Sequence, residues 1–220
     1  ALYAANELEV AYQYDMSQVA SRALMNIALS YLTSLEVPEF IAKAKQQFDE
    51  SLKSNMTNCL SALSVLSHID CLERVEALSQ FYDQWQDEPL VINMWFTIQA
   101  VASLDHVLAS VIDITKQPFF DVKNPNNVYA LVNSFASNNL SKFHDVSGNG
   151  YAFLAQMVMR LDTINPMVAA RLVQPLTQFA QYDEDRKKMM CQQLKKISVV
   201  KDLSKNVYEC ISKSLLTIQE

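Results

Sequence analysis

Apolar side chains recur every three or four positions along most of the chain, and polar capping residues cut the recurrence into segments. The first strong stripe runs through Val19, Ala23, Leu24, Ile27, Ala28, Tyr31 and Leu32. It opens at Asp15-Met-Ser-Gln18, which has the form of a capping box, and ends before Pro38. Further helices are predicted from about Pro38 to Ser51, Asn55 to Ser67, and Asp70 to Trp85, the last opened by a second capping box, Asp70-Cys-Leu-Glu73. Others follow near Leu90 to Val101, Ser103 to Thr115, Pro125 to Ala136, Tyr151 to Asp162, Pro166 to Ala180, Asp183 to Ser198 and Leu203 to Thr217. The pattern is all-α, about 11 to 13 helices on short linkers, and short linkers make sequence neighbours antiparallel.

Two of these helices share a start. Asn124-Pro125 and Asn165-Pro166 each place a capping amide before a proline at the first helical position, where the missing N–H costs nothing. The starts lie 41 residues apart, within the period of about 40 to 47 of armadillo and HEAT helix pairs. His68, His106 and His144, 38 residues apart in turn, echo that period weakly. The expected architecture is a single helical-repeat domain over residues 1–220, an armadillo/HEAT-like superhelical stack whose concave face does the work.

Composition sharpens this picture. The chain of 220 residues holds only two glycines, Gly148 and Gly150, where average usage would supply about fifteen. So few positive-φ residues argue against barrels, sandwiches and nucleotide-binding βα units. They also single out Ser147-Gly148-Asn149-Gly150 as a sharp connection or the close approach of another surface. A net charge of −6 gives no general attraction to phosphate, and the basic run Arg186-Lys187-Lys188 follows the acidic Asp183-Glu184-Asp185, so nucleic acid is not an expected partner. No apolar run approaches the ~20 residues of a membrane span, and the opening residues lack a signal-peptide pattern. Without an initiator Met, the chain reads as part of a longer polypeptide. The four cysteines show no zinc or redox spacing and read as packed, reduced thiols in a cytoplasmic setting.

Catalytic constellations are missing from the pattern. There is no His-Glu-x-x-His, no Gly-x-Ser-x-Gly and no phosphate loop, and no histidine has a second ligand one turn away. No catalytic residue and no metal ligand is therefore expected in this sequence. The acidic run from Tyr82 to Glu88 reads as a helix end and a solvated loop. Trp85, Trp95 and Phe96 read as core with the indole N–H groups satisfied. The polar group Asn138, Asn139, Phe143, His144 and Asp145 is more open to a functional reading because it leads into the two glycines.

Several strings carry a family resemblance: Ser54-Asn-Met-Thr-Asn-Cys59, Tyr82-Asp-Gln-Trp85 with the stretch from Pro89 to Ala100, Asn124-Pro-Asn126, Phe143-His-Asp145 and Gly148-Asn-Gly-Tyr-Ala-Phe-Leu154. Leu161-Asp-Thr-Ile-Asn-Pro166, the stretch from Val168 to Leu176, Tyr182-Asp-Glu-Asp-Arg186 and Leu203-Ser-Lys-Asn-Val-Tyr-Glu209 continue it in order. Together, from about Arg22 to Ser214, they resemble the C-terminal helical domain of bacterial aminopeptidase N. The resemblance implies a parent that binds one zinc in an upstream thermolysin-like domain and releases N-terminal residues from peptides in the cytoplasm. It implies that this domain caps the catalytic domain and limits peptide access, with the catalytic and N-terminal domains of the same polypeptide and the peptide substrates as partners. No cofactor is expected in these residues, and the fragment alone is expected to be inactive.

One position can be carried over. Arg171, in Val168-Ala-Ala-Arg-Leu-Val-Gln-Pro175, matches an arginine that faces the internal cavity in the family. Val168, Leu172, Leu176 and Phe179 form the predicted buried stripe, which leaves Arg171 and Gln174 on another face, and Pro175 should kink the helix at Arg171. Where relatives often carry a second arginine, after Asn124-Pro125-Asn126, this chain has Asn127-Val128-Tyr129. The alternative reading is a stand-alone helical-repeat module that holds a protein partner.

Overall fold

The computed structural model describes residues 1–7 and 12–216, and all regular structure among them is helical. The chain falls into two compact units, Ala1–Ile98 and Gln99–Glu220.

The first unit contains α1 (Leu2–Ala5), α2 (Met16–Thr33), α3 (Pro38–Ser51), α4 (Met56–Ser67), α5 (Leu72–Trp85) and most of α6 (Pro89–Ala100). Asp15 caps α2 through the N–H groups of Ser17 and Gln18, as the sequence predicts. Gln18 reaches past the expected partner, its Oε1 accepting from the N–H of Gln13 at 2.9 Å. Asn55 caps α4 through Asn58 N–H at 3.3 Å. The second predicted capping box does not form: Cys71 occupies the N-cap of α5 without a side-chain bond, and Asp70 pairs with Arg74 at 3.4 Å instead. Helix α4 folds back onto α3 and contacts α2, and α5 lies against both α3 and α4. Leu29, Ala44, Phe48, Leu63, Leu66 and Phe81 are fully buried between them.

Helix α2 departs from expectation. Its buried face carries Arg22, Met25, Ala28, Leu29 and Thr33, while Leu24, Ile27 and Tyr31 of the predicted core stripe are 45%, 53% and 75% exposed. Apolar residues surround most of this helix, so periodicity alone cannot choose the inner face. The more polar face is inside because its groups are satisfied there: Asn26 donates to Asn58 Oδ1 at 3.2 Å and Thr33 to the Leu29 carbonyl at 2.9 Å.

The second unit contains α7 (Val107–Ile114), α8 (Pro125–Val128), a π-turn (Tyr129–Asn133), α9 (Ser134–Asn138), α10 (Leu140–Phe143), α11 (Asn149–Asp162), α12 (Pro166–Leu172), α13 (Gln174–Thr177), a 3₁₀ turn (Phe179–Gln181), α14 (Glu184–Ser198) and α15 (Lys205–Leu216). Asn124 and Asn165 cap α8 and α12 as predicted, accepting from Asn126 and Val168 N–H groups. Two predicted helices are interrupted. The π-turn divides the helix expected over 125–136, and the helix expected over 166–180 breaks at Val173, where Pro175 cannot donate to the Arg171 carbonyl. The helix expected from Ser103 begins only at Val107, and the predicted end at Thr217 lies outside the described residues. Helix α11 packs on α12 and α14, and α15 packs on α12, α13 and α14. The buried Asp162 carboxylate joins the end of α11 to the start of α15, accepting from the N–H of Ser204 at 2.9 Å and from its hydroxyl.

Candidate functional site

Arg171 sits in the last turn of α12, exposed to solvent, and forms no ion pair among the described residues. Val168, Leu172, Leu176 and Phe179 are buried, so the predicted division of faces holds. One turn further on, Gln174 and Pro175 enter a shallow groove of about 280 Å³ that Asn133, Ser137, His144, Gln178 and Tyr182 also line. Arg171 stands beside this groove rather than on its wall. Amide, imidazole, hydroxyl and phenol groups are prominent in the lining, a chemistry suited to hydrogen bonding with main-chain groups.

The glycine patch explains itself in backbone terms. Gly148 has φ +68°, a left-handed residue at the N-cap of α11, and its N–H donates to the Asp145 carbonyl at 3.0 Å. A Cβ at Gly150 would stand 2.5 Å from the Phe143 carbonyl oxygen. Both expectations from the sequence, a sharp connection and a close approach, are met within three residues.

Around that turn the polar cluster is assembled as a lock. His144 Nδ1 lies 2.8 Å from the Tyr151 hydroxyl, and its ring stacks on Tyr182 with centroids 4.1 Å apart. Phe143 meets His144 and Tyr151 edge-on at 4.9 and 5.2 Å. Arg186 Nε donates to the His144 carbonyl at 2.7 Å while its Nη1 pairs with Asp183 at 2.7 Å. Burial holds the imidazole pKa below its ordinary value, and the Arg186 charge pushes the same way. Asn139 donates through its buried amide to the carbonyls of Ala100 and Ala102 at 2.9 and 2.8 Å. These contacts engage Asn139 and His144, two of the groups that made the cluster a functional candidate.

The remaining candidates separate. Trp95 is buried with its indole N–H bonded to the Leu78 carbonyl at 2.9 Å, but the buried Trp85 Nε1 has no hydrogen-bond partner among the described residues, contrary to the expectation for it. His68 ends α4, His106 precedes α7 and His144 ends α10, so the shared spacing gives no shared environment. Among the described residues no group of three or more His, Cys, Asp or Glu side chains is placed to hold a metal ion. Cys59 and Cys191 are buried, and burial pushes the Cys59 thiol up to about 12. No helix among the described residues is long and apolar enough to cross a membrane. The feature that periodicity missed lies in the first unit, where the polar residues Arg22 and Gln47 are each only 5% exposed.

Fold and site together define an all-α, helical-repeat protein. The chain belongs to the family described as Domain of unknown function (DUF3458_C) ARM repeats, whose model matches residues 1–216. It is 38% identical over 204 residues to aminopeptidase N of Haemophilus influenzae, covering 93% of this chain and 23% of that protein. Aminopeptidase N of Escherichia coli is 33% identical over 217 residues, covering 98% of this chain and 24% of that protein. Among solved structures it is similar to Legionella pneumophila aminopeptidase A in complex with aspartic acid, with TM-score 0.88 and 35% identity over 96% of this chain and 25% of that one. The chain thus spans about a quarter of the length of the relatives it matches.

Proposed function

We propose that this chain is the C-terminal helical domain of a zinc-dependent aminopeptidase N that releases N-terminal amino acids from peptides in the cytoplasm. In this reading both units, residues 1–220, act as one domain that caps the catalytic domain and limits peptide access. It supplies no catalytic residue. Zinc belongs to the catalytic domain upstream. The partners are the catalytic and N-terminal domains of the same polypeptide and the peptides it degrades.

The observation that carries this reading is the match itself: nearly the whole chain aligns with only about a quarter of each aminopeptidase N. The exposed apolar face of α2 supports it. Met16, Leu24, Ile27 and Tyr31 are large apolar groups on a helix whose opposite side is already packed, as expected of a surface that another part of a longer polypeptide covers. Arg171 is the residue assigned to substrate: its exposed guanidinium, without an ion pair among the described residues, would take a peptide carboxylate.

The test compares the parent enzyme, its Arg171→Ala variant and a version truncated before residue 1, using aminoacyl anilides and longer peptides as substrates. Arg171→Ala should lower kcat/KM for peptides with a free carboxylate by about tenfold or more, as a lost charge-assisted hydrogen bond does, and leave the anilides unchanged. Equal behaviour of the variant on both substrates would remove Arg171 from the site. A truncated enzyme that keeps its size discrimination and stability would refute the capping role.

A further inference from the structure

Helix α11 begins with Asn149-Gly150, and of all the asparagines in the chain only Asn149 precedes glycine. Asn149 is exposed, and its side-chain amide has no hydrogen-bond partner among the described residues. The N–H of Gly150 likewise has no acceptor among them, whereas the N–H of Asn149 donates to the Ser147 hydroxyl at 3.3 Å. A nitrogen able to attack and an amide carbon able to be attacked therefore stand in adjacent residues, neither held by a competing bond. Glycine matters here because no Cβ shields its nitrogen.

The helix controls whether the two atoms meet. Ring closure carries the Gly150 nitrogen into line with Cβ and Cγ of Asn149, away from the helical ψ of about −42°, so the first turn of α11 must open. That turn is weakly fastened at its start, where the N-cap Gly148 supplies no side-chain bond. It is held more firmly one and two residues on. Gly150 is buried with the Phe143 carbonyl oxygen 2.5 Å from where a Cβ would stand, and the Tyr151 hydroxyl lies 2.8 Å from His144 Nδ1. Opening is thus a local fraying of the helix end rather than a global unfolding.

We propose that Asn149 is a site of spontaneous modification by water, which converts it to aspartate and isoaspartate. Hydroxide from solvent takes the Gly150 amide proton, the nitrogen bonds to Asn149 Cγ, and the Cγ–Nδ2 bond breaks. The leaving nitrogen takes a proton from water, which restores the hydroxide, and departs as ammonia. The cyclic imide then adds one water. Breaking its bond from Cγ to the Gly150 nitrogen gives aspartate; breaking the bond from the main-chain carbonyl carbon gives isoaspartate, with the chain now running through Cγ. One water is taken up, one ammonia is released and nothing is oxidised or reduced. Aspartate places a negative charge in the first turn, where the helix favours it. Isoaspartate lengthens the main chain beside Gly150, which has no slack against Phe143, so it displaces the first turn and loosens Tyr151 from His144. This chemistry stands apart from the reading of function above.

The experiment ages the full-length protein in mildly alkaline buffer, with and without urea, and maps it by trypsin digestion and mass spectrometry. Cleavage after Lys142 and Arg160 frees a peptide in which Asn149 is the sole asparagine. Its mass should rise by the exchange of NH2 for OH, about tenfold faster than at Asn133 or Asn138, whose following residues carry side chains. An isoaspartate-specific methyltransferase should label part of the product, urea should speed its formation, and an Asn149→Ser variant should show neither the mass gain nor the label. Aged protein should melt below fresh protein, while Asn149→Asp should not, and Asn149→Ser should keep its melting temperature through ageing. Asn149 is exposed, so both variants should fold. The proposal is overturned if Asn149 stays intact in the aged folded protein, or if urea leaves the rate unchanged. Isoaspartate-containing protein that melts with the fresh protein overturns the link to the first turn of α11.

Discussion

Alanine at Gly150 gives the most direct test of how the second unit is packed. The new Cβ would sit 2.5 Å from the Phe143 carbonyl oxygen and 3.1 Å from its carbonyl carbon, where ordinary contacts begin near 3.4 Å. Phe143 has little room to yield. Its side chain is fully buried, its ring meets Phe135 at 6.0 Å as well as His144 and Tyr151, and its N–H is held by the Asn139 carbonyl at 2.9 Å. Forcing a methyl group into packed surroundings costs about 1 to 3 kcal/mol. Against this stands the helix propensity gained on replacing glycine, about 0.5 to 1 kcal/mol, so the net loss should be about 1 kcal/mol at mid-range and at most about 2.5 kcal/mol. For a chain of this size the mid-range loss lowers Tm by about 2 to 4 °C. Thermal unfolding followed by far-UV circular dichroism reads the shift. Gly148→Asn provides the contrast, because Asn tolerates the left-handed region and the atom in its way is the flexible Met189 Sδ at 2.7 Å; it should cost less than Gly150→Ala. A Gly150→Ala protein that melts at or above the parent temperature refutes the close-approach argument.

The two tryptophans should respond differently to phenylalanine. Trp95→Phe removes a buried hydrogen bond to the Leu78 carbonyl and should cost about 1 to 3 kcal/mol in urea unfolding, whereas Trp85→Phe removes a buried N–H that has no acceptor among the described residues and should cost about 1 kcal/mol less. Stability should also fall in mild acid. Burial lowers the pKa of both His68 and His144, and at His144, which faces Tyr151, Tyr182 and Arg186, the guanidinium lowers it further. The unfolded chain takes up these protons first, so the contribution is complete above pH about 6.5, declines as pH falls below that, and is gone beneath the folded-state pKa values. Urea midpoints at pH about 7.5 and about 5.5 should differ by less in a His144→Gln variant than in the parent; an identical difference would show that His144 does not carry the effect.

What the sequence made legible was local. Asn124 and Asn165 cap their helices because a side-chain amide followed by proline acts within one turn, whatever the rest of the chain does. The two glycines marked their turn for the same reason. The buried stripe of Val168, Leu172, Leu176 and Phe179 was readable because the other face of that segment carries Arg171 and Gln174 and leaves no second candidate. Asp70-Cys-Leu-Glu73 fits the capping pattern equally well, yet Asp70 prefers the guanidinium of Arg74 one turn along. A motif of two side chains cannot register that competitor.

Long-range choices were not legible, and α2 shows why. Periodicity reports that a helix has an apolar face; it does not report whether the partner of that face is present. Here the inner face is held by Asn26, Asn58 and Gln47, residues up to 32 positions apart whose bonds exist only after α2, α3 and α4 have come together. The outer face of α2, with Leu24, Ile27 and Tyr31 in solvent, then gains a physical meaning. On the proposed function, a stripe strong enough to be mistaken for core stays apolar to meet another part of a longer polypeptide, and replacing Ile27 and Tyr31 by serine tests this by separating the two environments. The double variant should leave this chain's own stability nearly unchanged, since exposed side chains contribute little, but should lower the melting temperature of the complete enzyme by several degrees. Equal, small effects in both would mean that water covers the stripe in the full protein as well.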